Sequence, residues 1–304
     1  MMRFILFMSI FVAQVFSDTF PTALGECTLE IYGGRVDDIP EIVQLIKDES
    51  VILVDELGEV NIRSYSVYIT SNMEDFYEKS KGPVPEWGIA LAKLNPDRAI
   101  LKSPGLANIS FIRMKEVIVH ELNHIYMFRI PNYYTMPSWF KEGMAMAGSN
   151  EFSLLHKIEI SKAHWRKQTI PLQRLRNMGI HSKGKIKLAY GESAAAVEAL
   201  QYYYGEDTPL KILDDMRTGM EFYDALEAAI NEEYIEFQIK FEIYLEENYN
   251  WVFLLRSAKY LYVIMPVILV LGFIYRTHRN KLKLKQWEIE EELENTEWNE
   301  ELPN

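Results

Sequence analysis

His120-Glu121-Leu122-Asn123-His124 places two imidazoles four residues apart, with a carboxylate directly after the first. On a helix, residues four apart lie one turn above each other, so both rings project from one face and can converge on a single metal ion. Glu121 flanks that face, where it can take a proton from a water polarised by the metal. The chemistry this His-Glu-x-x-His (HExxH) spacing supports is zinc-dependent hydrolysis. Further along stands Glu142, within Trp139-Phe140-Lys141-Glu142-Gly143.

Such a pair needs a helix beneath it and a core around it. With 48% hydrophobic residues in 304, the chain has material for one large domain or two. Its 32 basic residues against 44 acidic ones argue against nucleic acid as a partner. Cys27 is the only cysteine, which excludes an intrachain disulfide and a thiolate-rich zinc knuckle. Its thiol is expected to be free and buried or half-buried, not lipidated.

Residues 65–70 and 28–32 alternate as strands, and 37–56 has helical spacing through Ile42, Leu45, Ile46 and Ile52. Ser71 or Asn72 caps a short helix through Phe76. Short strands are expected at 89–94 and 99–101, around Asn95-Pro96-Asp97. A long helix over 109–130 then carries the His-Glu pair, with Asn108 as a candidate cap and Pro131 ending it. Asn108-Ile109-Ser110 is also a glycosylation sequon. Beyond it the chain reads as almost wholly helical: a helix opened by Pro137 and holding Glu142, then helices over 191–204, from Thr208-Pro209, over 222–230 and over 232–249. Strands first and helices later make an α+β order, a small mixed sheet lobe followed by a mainly helical one.

The ends read differently. Residues 1–17 have an early Arg3, an apolar run and a small-residue site before Asp18, the layout of a signal peptide. Residues 260–275 carry no charge; with 251–255 they are expected to form one C-terminal transmembrane helix over 251–275. Arg276, Arg279, Lys281, Lys283 and Lys285 follow, which puts the tail 276–304 in the cytoplasm and the body 18–250 outside it.

The three motifs His120–His124, Met136-Pro137-Ser138-Trp139-Phe140-Lys141-Glu142-Gly143-Met144-Ala145 and Ala189-Tyr190-Gly191-Glu192-Ser193 resemble, in order and spacing, the peptidase-MA-like branch of the gluzincins. These are relatives of thermolysin and of the zinc aminopeptidases, and the likeness covers 28–249. It implies a zincin-like fold and Zn2+ held by His120, His124 and Glu142, with the fourth position left for water. Glu121 would then be general base and later proton donor. Tyr190 would stabilise the oxyanion, with His181 as its rival, and the substrate would be a polypeptide.

Two departures stand out. Many gluzincins place a carboxylate four residues beyond the third ligand, to accept a hydrogen bond from a ligating histidine; here that position is Met146, with Glu151 the nearest substitute in sequence. The zinc aminopeptidases hold a free amino terminus with a glutamate on a Gly-x-Met-x-Asn type strand. The comparable stretch Trp87-Gly88-Ile89-Ala90-Leu91-Ala92 has no acidic residue, which favours an endopeptidase. The expectation is a membrane-anchored zinc metallopeptidase. The alternative is a catalytically weak or inactive gluzincin-shaped scaffold at the membrane.

Overall fold

Cys27, Leu29 and Ile31 alternate along β2 (Gly25–Tyr32), and Tyr65, Val67 and Ile69 along β3 (Tyr65–Thr70), so each strand buries one face. The computed structural model describes residues 15–33, 38–81, 84, 88–178, 183–250 and 259–300. Among the described residues five strands make one mixed sheet in the order β1 (Val15–Thr22), β2, β3, β5 (Arg98–Lys102), β4 (Ala90–Lys93). β1 runs antiparallel to β2, β2 and β3 are parallel, β3 and β5 are parallel, and β4 returns antiparallel on the outer edge. Parallel neighbours need crossovers, and α1 (Ile39–Leu57) and α2 (Met73–Ser80) lie in them. Asn72 caps α2 through its side chain, accepting from the Asp75 amide.

β1 begins at Val15, inside the stretch expected as a signal peptide, whose residues 1–14 lie outside the described residues. Removal of 1–17 would leave Asp18 to Thr22 on the sheet edge.

α3 (Pro104–Ala107) ends on Asn108 in the left-handed region, and Ser110, not Asn108, caps α4 (Phe111–Met127) by accepting from the Arg113 amide. Asn108 is thus spent on closing the preceding turn. α4 is buried along most of its length because it packs on β4 and β5, on α1 and on the next helix at once. The helices α5 (Ser138–Gly148), α6 (Leu154–Trp165), α7 (Lys183–Tyr204), α8 (Thr208–Arg217), α9 (Phe222–Ile230) and α10 (Tyr234–Asn248) follow. Trp139 and Phe140 of α5 meet Phe222 and Phe237 at ring separations of 4.9 to 5.8 Å, which locks α5 under α9 and α10. The core residues all fall between Phe20 and Tyr249, so the unit ending at Asn250 carries its own core. Cys27 is fully buried in it, and burial pushes its thiol up to about 12.

The second unit contains a helix over Lys259–Glu300, which runs on through the basic and glutamate-rich stretches. Among the described residues no helix is long and apolar enough to cross a membrane. That departs from the expected transmembrane helix over 251–275, of which 251–258 lie outside the described residues. The apolar side chains that are described, from Met265 to Tyr275, cover about 16 Å of helix, short of a hydrocarbon core of roughly 30 Å.

Candidate metal centre

Helical geometry brings His120 and His124 to one face of α4, with their Nε2 atoms 3.2 Å apart. Glu142, from the second turn of α5, places Oε2 3.4 Å from both of those nitrogens. The three side chains form the one His/Cys/Asp/Glu cluster of metal-binding compactness among the described residues. A tetrahedral cation with ligands at about 2.05 Å requires donor separations of about 3.3 Å, which this triangle of 3.2, 3.4 and 3.4 Å meets. Glu142 Oε2 is also buried with no hydrogen-bond partner, a costly state that a cation would relieve. The donor set, two nitrogens and one oxygen, suits zinc.

Electrostatics point the same way. Burial works against ionised Glu142, yet His124 and His120 outweigh it and hold the carboxyl well below the usual carboxylate range. Burial opposes a charge on His120, but Glu142 and Glu151 overcome it and lift the imidazole to about 10. Protons and a cation therefore compete for one set of atoms. Glu121 differs: burial drives its carboxyl up to about 7, tempered by His124 and His120, and its Oε2 has no partner.

Glu151 occupies the place left by Met146. His120 Nδ1 lies 2.7 Å from Glu151 Oε2, and Arg113 Nη2 holds Glu151 Oε1 at 2.7 Å. A cation that displaced the Nε2 proton would leave the Nδ1 proton beside this carboxylate, which favours presenting the Nε2 lone pair to the centre. The helix end explains the reach. Asn150 takes the left-handed conformation, Asn150 N–H donates to Ala147 O, and Glu151 N–H donates back to Met146 O. This double turn closes α5 and returns Glu151 to the level of Met146. Arg113 escaped the sequence reading, although it stands two helical turns before His120 and so shares its face. Glu151→Gln is expected to weaken zinc binding by about 10- to 100-fold while leaving the fold intact. Competition with a chelator of known affinity checks this; unchanged affinity would remove Glu151 from the site.

α7 supplies the opposite wall. A Cβ on Gly143 would stand 2.4 Å from the Ser193 carbonyl oxygen, so α5 and α7 approach this closely only because glycine follows Glu142. That approach sets the Tyr190 ring edge-on to His120, centroids 6.5 Å apart. The Glu142 charge first, then burial, Glu121 and Glu151 push the phenol far above its ordinary value, so Tyr190 keeps its proton and stays a donor. His181 lies outside the described residues. His156 sits at the start of α6 within reach of Ser153, and neither it nor His164 joins the cluster.

Glu192, two residues after Tyr190 in the same motif, points elsewhere. It is fully buried, Oε2 accepts from the Ile170 amide at 2.9 Å, and Oε1 has no partner. Burial raises its carboxyl to about 8, only partly offset by that amide. The folded state therefore binds a proton that the unfolded chain releases, and stability is lost as pH rises from about 4.5 through about 8. Glu192→Gln is expected to flatten that slope, with a melting point several degrees above wild type at pH 8 and close to it at pH 5. Parallel thermal scans decide; equal slopes would show that Glu192 is ionised in the fold.

The chain matches the family described as the Peptidase MA superfamily over residues 47–243, and it belongs to that family. Among solved structures it is similar to an M1 zinc metallopeptidase from Deinococcus radiodurans, 15% identical, with a TM-score of 0.43 over 76% of this chain and 52% of that one. It is also similar to an aminopeptidase N family protein from Idiomarina loihiensis, 10% identical, with a TM-score of 0.45 over 71% of this chain and 43% of that one. The chain thus spans about half the length of the structures it resembles. Against curated proteins it has no match.

Proposed function

We propose that the protein is a membrane-anchored, zinc-dependent endopeptidase. The observation that carries this reading is the triangle of His120 Nε2, His124 Nε2 and Glu142 Oε2, sized for one tetrahedral cation, with Glu121, whose buried Oε2 has no hydrogen-bond partner, directly after His120 on the same helix. Bound there, zinc would polarise the scissile carbonyl and bring the pKa of a water toward about 7. Glu121 takes the proton as that water attacks the peptide carbon, then passes it to the leaving amine. Tyr190 donates a hydrogen bond to the developing oxyanion. Glu151, held by Arg113, keeps the His120 ring in register. An extended substrate pairs backbone to backbone along the outer edge of β4, the last strand of the sheet among the described residues, which rests against α4. β4 and the two described residues before it, Gly88 and Ile89, offer no carboxylate to capture an amino terminus, which supports cleavage inside chains.

The anchor is the apolar run 251–275, supported by its sequence and by the contiguous exposed Val267, Ile268, Leu269, Val270 and Leu271, which water solvates poorly. Residues 1–17 direct export, and the basic stretch after Tyr275 keeps the tail 276–304 in the cytoplasm.

The test is metal content and turnover of a mixed peptide library by the purified protein, before and after chelation. One zinc per chain is expected, with activity lost on chelation, restored by zinc, and cuts within peptides. A stripped protein that still cleaves overturns the zinc mechanism, and cuts confined to amino ends overturn the endopeptidase reading.

A further inference from the structure

We propose that the exposed face of α6 is a second membrane contact, a surface that docks the body onto an anionic lipid bilayer. This rests on reading 251–275 as a membrane anchor. At helical spacing, Leu154, Leu155, Ile158, Lys162, Trp165 and Arg166 share one side of α6, opposite the buried Ile160 and Ala163 that face the body. Trp165 is 75% exposed, Leu155 63% and Leu154 47%, an apolar surface with no cover among the described residues.

Its electrostatic setting runs against that of the chain. The net charge is -12, yet the stretch from Phe152 to Gly191 holds nine Lys and Arg against Glu159 alone. Lys162 pairs with Glu159 at 2.9 Å, an exposed contact of small worth, and Arg166 and Lys167 follow Trp165 in the open. Whole-chain acidity concealed this local excess. A tryptophan and leucines rimmed by cations make the usual interfacial pattern: apolar groups enter the headgroup boundary while the cations meet lipid phosphates. The aliphatic Leu154 and Leu155 offer nothing to nucleic acid.

Position selects α6 for this role. Glu198 of α7 accepts from Lys157 Nζ of α6 at 2.8 Å and from the hydroxyls of Tyr249 and Tyr244 at 2.7 and 3.2 Å. One carboxylate therefore ties α6 to the end of α10, the point from which the chain runs on into 251–275. α10 has its own exposed stripe of Ile235, Ile239 and Ile243, but Glu236, Glu242, Glu246 and Glu247 flank it and anionic lipid would repel them.

The body 18–250, which holds its own core, is mixed with vesicles of phosphatidylcholine alone or equimolar with phosphatidylglycerol, and binding is read by co-sedimentation and tryptophan emission. Binding about tenfold or more tighter to the anionic vesicles is expected, with a blue shift that Trp165→Ala abolishes. Arg166→Glu with Lys167→Glu should weaken binding about 100-fold, while turnover of a soluble peptide stays at wild-type level. No binding, equal binding to both vesicles, or variants that bind like wild type would each overturn the proposal. So would retention by an acidic polypeptide without lipid binding, which would make the partner a protein. Carbonate extraction of the full chain separates the two readings. If carbonate releases the chain while the body still binds vesicles, the anchor fails and docking stands. A chain that resists carbonate with a body that ignores vesicles shows the reverse.

Discussion

Glu121→Gln is expected to keep the zinc of the wild type and to lose about 10²- to 10⁴-fold in turnover, the range for removing a positioned general base. The amide is nearly isosteric with the carboxylate, so packing around this buried position is preserved. Nothing holds Glu121 Oε2 in place of a substrate water, and neither His120 nor His124 relies on it for orientation. The measurement pairs zinc content with kcat on one good peptide substrate. A variant that loses zinc in proportion to activity would move Glu121 into the metal site itself. A variant with wild-type kcat would end the hydrolytic mechanism.

Glu142→Ala is expected to act through binding. Two imidazole nitrogens 3.2 Å apart would remain, with one corner of the triangle open. Zinc affinity should fall by more than the roughly 10- to 100-fold assigned to loss of an outer partner such as Glu151, and activity should fall with it. Competition against a calibrated chelator reads the affinity, and excess zinc should restore part of the activity of Glu151→Gln but little of that of Glu142→Ala. Wild-type affinity in the alanine variant would show that the carboxylate is a neighbour of the centre and not a ligand. The two substitutions thus divide the site: one removes chemistry with the metal in place, the other removes the metal.

The pairing of His120 with His124 needed only the helical repeat, because four residues make about one turn whatever surrounds the helix. Strand β3 likewise appeared at its observed bounds, since alternation over 65–70 is strong and flanked by polar residues. β1 did not appear: most of it is exposed, it has little apolar signal of its own, and it exists through pairing with β2. Ser110 in place of Asn108 as cap was a local competition that the left-handed turn at Asn108 decided.

Sequence alone therefore determined what local periodicity and residue chemistry dictate: two histidines on one helical face, a glutamate after them, and strands preceding helices. Tertiary packing decided the rest. That Glu142 meets both rings, that Glu151 stands in for the absent carboxylate at Met146, and that Arg113 secures it depend on how α5 and its closing turn lie against α4. Such contacts join residues many turns apart in sequence. Their distances follow from close-packed helices and from the room that Gly143 leaves, which no local pattern encodes.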